Sequence, residues 1–270
     1  MVIAVLNNKG GVGKTTTSVN LAAAFANSGR RVLLIDLDSQ ASASLWCGVP
    51  RTALEPSSAD CLLHDYPVSR AVRVTATKNL ELVTGSLELA SADLALCGVP
   101  GREHVLSKAL DDVRPRYDMI VLDCPPSFSL IGVNCLVAAG ALLVPVTMQH
   151  LPIDGLTGLI EIIGHARDRL GIEARLLGIM LVMMDDHDNV MAGGERVRGL
   201  YGDQVLETEI PVSVALAQAP AASQTIFQFA PGSPAAEAYG QLAVEVLERL
   251  GRARTPGNRG GTISDSLHAE

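Results

Sequence analysis

With 270 residues and 48% hydrophobic side chains, the chain can bury a sizeable core and fits one large α/β domain. A formal charge of −8 argues against a generally basic nucleic-acid binder, while leaving room for a local basic patch. The five cysteines are widely spaced with no CxxC, and no apolar run approaches the roughly 18 residues of a membrane span, so a soluble, cytoplasmic protein with reduced thiols is expected.

The start, MVIAVL, has no basic leader segment, and residues 2–6 read as a buried strand. A glycine-rich stretch, NNKGGVGKTTT, runs from it into a helix over 14–28 that Gly29 can stop. Strands are expected over 31–36, 80–83, 118–123, 141–146 and 176–183, and helices over 101–112, 129–138, 153–169 and 189–200, with Gly171 as another helix stop. A last helix, 235–250, precedes a Gly-, Pro-, Arg- and Ser-rich segment, 251–270, that is expected to be a disordered tail behind a single domain of residues 1–250. This alternation implies an α/β fold: a mostly parallel twisted sheet with helices on both faces and ligands at the carboxyl ends of the strands.

Gly13-Lys14-Thr15 follows a strand and opens a helix, the context a phosphate-binding loop needs. Backbone N–H groups from Gly10, Gly11, Val12, Gly13 and Lys14 can wrap a phosphate, with Thr16 just beyond them; the Lys14 ammonium can neutralise phosphate oxygens, and the Thr15 hydroxyl can ligate Mg2+. The usual pattern, GxxxxGK[ST], would begin with a glycine at position 8, where this chain has Asn8. An extra lysine, Lys9, stands five residues before Lys14, and only four lysines occur against 17 arginines.

KGGVGKTT is a deviant Walker A motif, and with it the sequence resembles the ParA/MinD family of P-loop ATPases up to about residue 250, most closely the small Soj-like ParA branch. LLIDLDSQASAS resembles that branch's switch I, with Ser39 where proline is usual; YDMIVLDCPPS resembles its Walker B and switch II; LELVTGSLELASAD and IPVSVALAQAP resemble two later segments. The resemblance implies ATP and Mg2+ as cofactors, with Lys9 reaching the phosphates bound by a partner subunit and Lys14 those of its own. Two facing nucleotides carry several negative charges, so added cations fit that role. It also implies that Asp38 aligns the attacking water, that Asp36, Asp123 and Thr15 serve the metal, and that Met183, Met184 and Pro211 lie near the adenine. MMDDHDN, residues 183–189, does not match a calcium loop, because Arg196 occupies the position where such a loop needs glutamate.

The family implies a homodimer when ATP-bound, non-specific double-stranded DNA as a partner, a ParB-like or other cargo adaptor, and a nucleoid-associated location. The tail lacks the apolar stripe of a membrane-binding helix, so no membrane partner is expected. A direct start at the first strand leaves no N-terminal helix-turn-helix before it. Soj-like relatives usually carry arginines where this chain has Val212 and Ala215, so the DNA contact is placed instead on Arg196 and Arg198, assisted by Arg167, Arg169 and Arg175. The same departure favours a cargo-positioning relative over a chromosomal segregation protein; the alternative is a MinD-like or other nucleotide-gated scaffold ATPase that positions a protein partner without DNA binding.

Overall fold

The computed structural model describes residues 1–127, 129–148 and 153–252. Eight strands form one sheet in the order β3-β4-β2-β5-β1-β6-β7-β8. They are β1 Val2–Val5, β2 Val32–Asp36, β3 Arg73–Val74, β4 Leu80–Val83, β5 Met119–Asp123, β6 Ala141–Val146, β7 Arg175–Met184 and β8 Ile210–Pro211. All pairings are parallel except β3 with β4. The register places Asp123 opposite Asp36 on one side and Val5 on the other. Both carboxylates and the end of β1 thereby meet at the carboxyl edge of the sheet, where a doubly wound fold places its ligand.

The strands are buried on both faces, which is why they read as continuous apolar runs. Along β1, Ile3 and Val5 point to one face and Val2 and Ala4 to the other. The first face is covered by α1 (Lys14–Asn27) and α6 (Pro234–Arg252), whose Phe25, Leu21, Tyr239 and Leu242 are buried there. The second is covered by α3 (Leu130–Ala138) and α4 (Ile153–Leu170), through Ile131, Leu136, Leu156 and Ile163. A short helix, α2 (Ser42–Trp46), follows β2, and α5 (Asp188–Tyr201) follows β7 and packs Val190 and Val197 into the second face.

Several expectations are corrected. Residues 101–112 do not form one helix: Gly101 adopts φ 69°, and the segment divides into 3-10 turns at Arg102–His104 and Leu110–Asp112 around a helical turn, Val105–Ala109. β3 and β8 have only two residues each, too short to show alternation. The loop read at 183–189 shrinks, because β7 runs through Met184 and α5 begins at Asp188. Gly29 and Gly171 do take positive φ, 87° and 61°, after their helices. α6 continues to Arg252, and the rest of the expected tail lies outside the described residues.

Candidate functional site: a phosphate loop facing two buried carboxylates

The loop between β1 and α1 is held from below by Asn7, which is buried, donates from Nδ2 to the Pro145 carbonyl at 2.8 Å and accepts the Lys9 amide at 3.0 Å. Gly11 and Gly13 take φ 74° and 78°, the left-handed region that side chains rarely enter. α1 begins at Lys14 with no acidic residue in its first turn and no side-chain cap, so its N-terminal amides and positive dipole end are available to an anion. A Cβ built at Gly10 or Gly11 would meet nothing within 4 Å, which leaves an open cradle above the loop.

Lys14 is 7% exposed, and its ammonium donates to the Lys9 carbonyl at 2.7 Å. Burial lowers its pKa, and the nearby Asp123, Cys124 and Asp38 act against that. Thr15 donates from Oγ1 to Asp123 Oδ2, and Ser18 from Oγ to Asp123 Oδ1, both at 2.9 Å. With its proton on Asp123, the Thr15 hydroxyl keeps its oxygen lone pairs for a cation. Ser18 was not singled out from the sequence. Its only signal is that it stands one helical turn after Thr15, on the same face of α1.

Asp36 and Asp123 are both fully buried, and their carboxyls are pushed up, chiefly by desolvation and in part by each other's charge or that of Asp38. Two ionised carboxylates at neighbouring ladder positions repel strongly in a dry site. A divalent cation relieves that repulsion, and the pairing of Thr15 with a carboxylate supplies the hard oxygen donors Mg2+ prefers. The glycine cradle, Lys14 and this donor set therefore fit a nucleotide polyphosphate with Mg2+. Asp38 lies one turn beyond β2, half-buried, with its Oδ1 accepting the Gln40 amide at 3.0 Å.

A family model described as an AAA domain matches residues 1–176. The chain is 37% identical over 246 residues to the sporulation initiation inhibitor protein Soj of Bacillus subtilis, covering 91% of this chain and 97% of that one. It is 40% identical over 252 residues to the chromosome-partitioning ATPase Soj of Thermus thermophilus, covering 93% and 97%. The chain belongs to the ParA/MinD family, on its Soj-like branch. Among solved structures, a Mycobacterium smegmatis protein described as cobyrinic acid a,c-diamide synthase with bound ADP and magnesium superposes with a TM-score of 0.82 at 30% identity, covering 94% of this chain and 96% of that one.

In this ParA-family chain, the remaining expected site residues fall into separate settings. Lys9 extends toward the start of α4, its Nζ 3.6 Å from where a Cβ of Gly155 would stand. Met184 and Pro211 line one cleft of about 420 Å3, together with Asp185, Met191, Pro234 and Glu237. Met183 is not part of that lining: it sits at φ 56° and packs on the face of α1 and α6, whereas Met184 packs on the opposite face.

The five arginines stand in different settings. Arg198 turns inward, donating to the Leu206 carbonyl at 3.0 Å, the Glu207 carbonyl at 3.4 Å and Glu209 Oε1 at 2.8 Å. It clamps the segment between α5 and β8, and its carboxylate partner lies eleven residues away in a loop the helical pattern could not place. Arg167 and Arg175 are half-buried and line a mixed-charge cleft with Asp203, Glu207, Glu245 and Arg249. Arg196 and Arg169 are exposed. Val212 is 53% exposed and Val214 is 70% exposed, so the late stretch presents apolar side chains to solvent.

Proposed function

We propose that this chain is a ParA-type ATP hydrolase that cycles between nucleotide states to segregate or position a cargo. The observation that carries the reading is the convergence of Lys14, Thr15 and Asp123 on an open glycine cradle, with Asp38 on the adjoining loop. ATP with Mg2+ is the ligand this set suits, and the bound metal would neutralise charge developing on the phosphates. Lys14 and the amides of residues 10–14 hold the phosphates in place. Thr15 would hold the metal through its hydroxyl oxygen while its O–H donates to Asp123, which Ser18 keeps in orientation. Asp38 orients the attacking water, a task that needs alignment more than basicity. Hydrolysis is proposed to be slow until an adaptor stimulates it.

Lys9 is assigned to the phosphates of a second subunit, so that ATP itself becomes part of a dimer interface and its hydrolysis loosens it. In the single chain its ammonium lies beside Gly155, so the partner's phosphates would have to draw it across. The dimer is proposed to hold nucleoid DNA non-specifically through phosphate contacts by Arg196 and Arg169, and an adaptor protein to stimulate turnover. Steady-state ATPase with and without duplex DNA, beside light scattering in ATP and in ADP, tests the reading. DNA-stimulated hydrolysis with ATP-dependent pairing is expected, and no hydrolysis under any condition would reject it. The exposed Val212 and Val214 favour a second reading, a scaffold that holds a protein partner without DNA, which predicts no binding of ATP-loaded protein to duplex.

A further inference from the structure

The carboxylate of Asp36 is spent on the protein itself. Its Oδ2 accepts both the Ser44 hydroxyl, at 2.6 Å, and the Ser44 amide, at 2.8 Å, while Oδ1 accepts the Asp38 amide at 3.2 Å. Ser44 is fully buried in the first turn of α2, and its Oγ also accepts the Gly85 amide at 2.9 Å. One hydroxyl thus donates to the end of β2 and accepts from the segment that follows β4. Both hydrogen-bonding roles of the hydroxyl are used.

The surrounding backbone is tight at the same point. A Cβ at Gly85 would come within 2.7 Å of the Asp38 carbonyl oxygen and 2.9 Å of Asp36 Oδ1, so the main chains of the two segments are already in contact. Between Asp38 and Ser44, Ala41 is held at φ 53°, a left-handed conformation that a non-glycine residue keeps only when its surroundings enforce it. The Ala41 amide bonds the Asp38 carbonyl at 2.9 Å, and the Ser58 hydroxyl bonds the Asp36 carbonyl at 2.7 Å. The Leu37 amide ties the same loop to the Asp123 carbonyl at 3.0 Å, while the Asp36 carboxylate holds it from the other side, and Ser44 supplies two of the three donors on that carboxylate.

We infer that Ser44 is a positioning residue for ATP hydrolysis: its hydroxyl locks Asp36 to the Gly85 segment, and this lock sets the direction in which Asp38 presents its carboxylate to the attacking water. The inference rests on the hydrolytic reading above and deepens it. Asp36 acts, on this view, as the organiser of the loop through Ser44. The Ser44 hydroxyl is fully occupied by Asp36 and Gly85, so its loss should affect turnover far more than nucleotide binding.

The test compares the full-length wild type with Ser44→Ala, Ser44→Cys and Ser44→Thr, using ATP with Mg2+. Ser44→Ala should lower kcat by about 10- to 100-fold, the effect typical of removing a group that orients a functional side chain, with the Kd for ATP within about 3-fold of wild type. Ser44→Cys, whose thiol is a weak donor, should fall between, and serves if the alanine variant does not fold; Ser44→Thr, which keeps the hydroxyl, should restore most of the rate. Hydrogen exchange of the same proteins without nucleotide should rise in residues 36–44 and 84–86 of Ser44→Ala alone. A wild-type kcat in Ser44→Ala, or a loss of kcat matched by an equal loss of ATP affinity, would overturn the positioning role. A wild type that does not hydrolyse ATP at all would sink the hydrolytic reading instead, and unchanged exchange in Ser44→Ala would then overturn the lock on its own.

Discussion

The carboxylates at the centre of the sheet and the arginines at its β7 edge are both charged, yet they are held in opposite ways. Asp123 is fully buried, and both its oxygens accept hydroxyls from α1, so its charge belongs to a closed network. At the edge, Arg198 is spent on loop carbonyls and Glu209 while its neighbour Arg196 faces solvent. Burial makes each central group depend on its neighbours, so a change there should act through chemistry. At the edge, residues two positions apart differ instead: one is tied into the fold and the other is open to solvent.

The largest expected effect breaks the centre. Lys14→Ala should weaken ATP binding by at least about 100-fold, since it removes the buried cation of the cradle, whereas Arg198→Ala should leave it unchanged; titration with a fluorescent nucleotide reads both. Asp38→Ala should retain ATP but lose about 100- to 1000-fold in turnover, seen as accumulation of the ATP-bound dimer by light scattering. Asp123→Asn sharpens the contrast by pushing two measurements apart. It should abolish Mg2+-dependent turnover while raising the Tm of the nucleotide-free protein at neutral pH, because it removes a carboxyl whose ionisation is opposed first by burial and then by the charges of Asp36 and Asp38. An unchanged or lower Tm would mean that the hydroxyl network already offsets the repulsion.

At the edge the effects shrink and separate. Arg198→Ala should cost about 1–2 kcal/mol in denaturant unfolding, discounted for its partial exposure. Arg196→Ala should leave stability alone but weaken every duplex alike and make the salt dependence shallower by about one unit of slope per lost phosphate contact. The smallest effect concerns Glu245. Burial pushes its carboxyl up, but the Thr208 and Glu207 amides at 2.9 Å and the nearby Arg249 hold it below the usual glutamate value. A depressed folded pKa gives stability that is present above the ordinary value of 4.5 and is lost as pH falls through the lower folded value. Glu245→Gln should therefore cost roughly 1 kcal/mol or less at neutral pH, with the difference from wild type vanishing as pH falls below about 4.5, so that acid unfolding is flatter in the variant.

The same contrast explains what could be read from the chain. β4 and β6 match the expected residues, and Lys14, Thr15 and Asp123 could be singled out because strand ends and the loop motif are visible in local spacing. Ser18 and Ser44 were missed, since a serine on a helix has no meaning until the fold sets a carboxylate against it, 105 residues away for Ser18. The clamp made by Arg198 was not legible for the same reason, its partners lying in a loop without periodicity. The two-residue strands β3 and β8 exist only through their neighbours' ladders.

β5 lies between β1 and β2, so the ends of the strands that launch the phosphate loop and the Asp38 loop stand two ladder spacings apart, roughly 10 Å. Main-chain hydrogen bonds hold that gauge, and no exchange of side chains can erase it. Descendants of this sequence are thus at liberty to trade surface residues for new cargoes while inheriting the same ruler. A single residue inserted into β5 would instead slide Asp123 out of line with both loops, a change that later substitutions elsewhere could hardly repair.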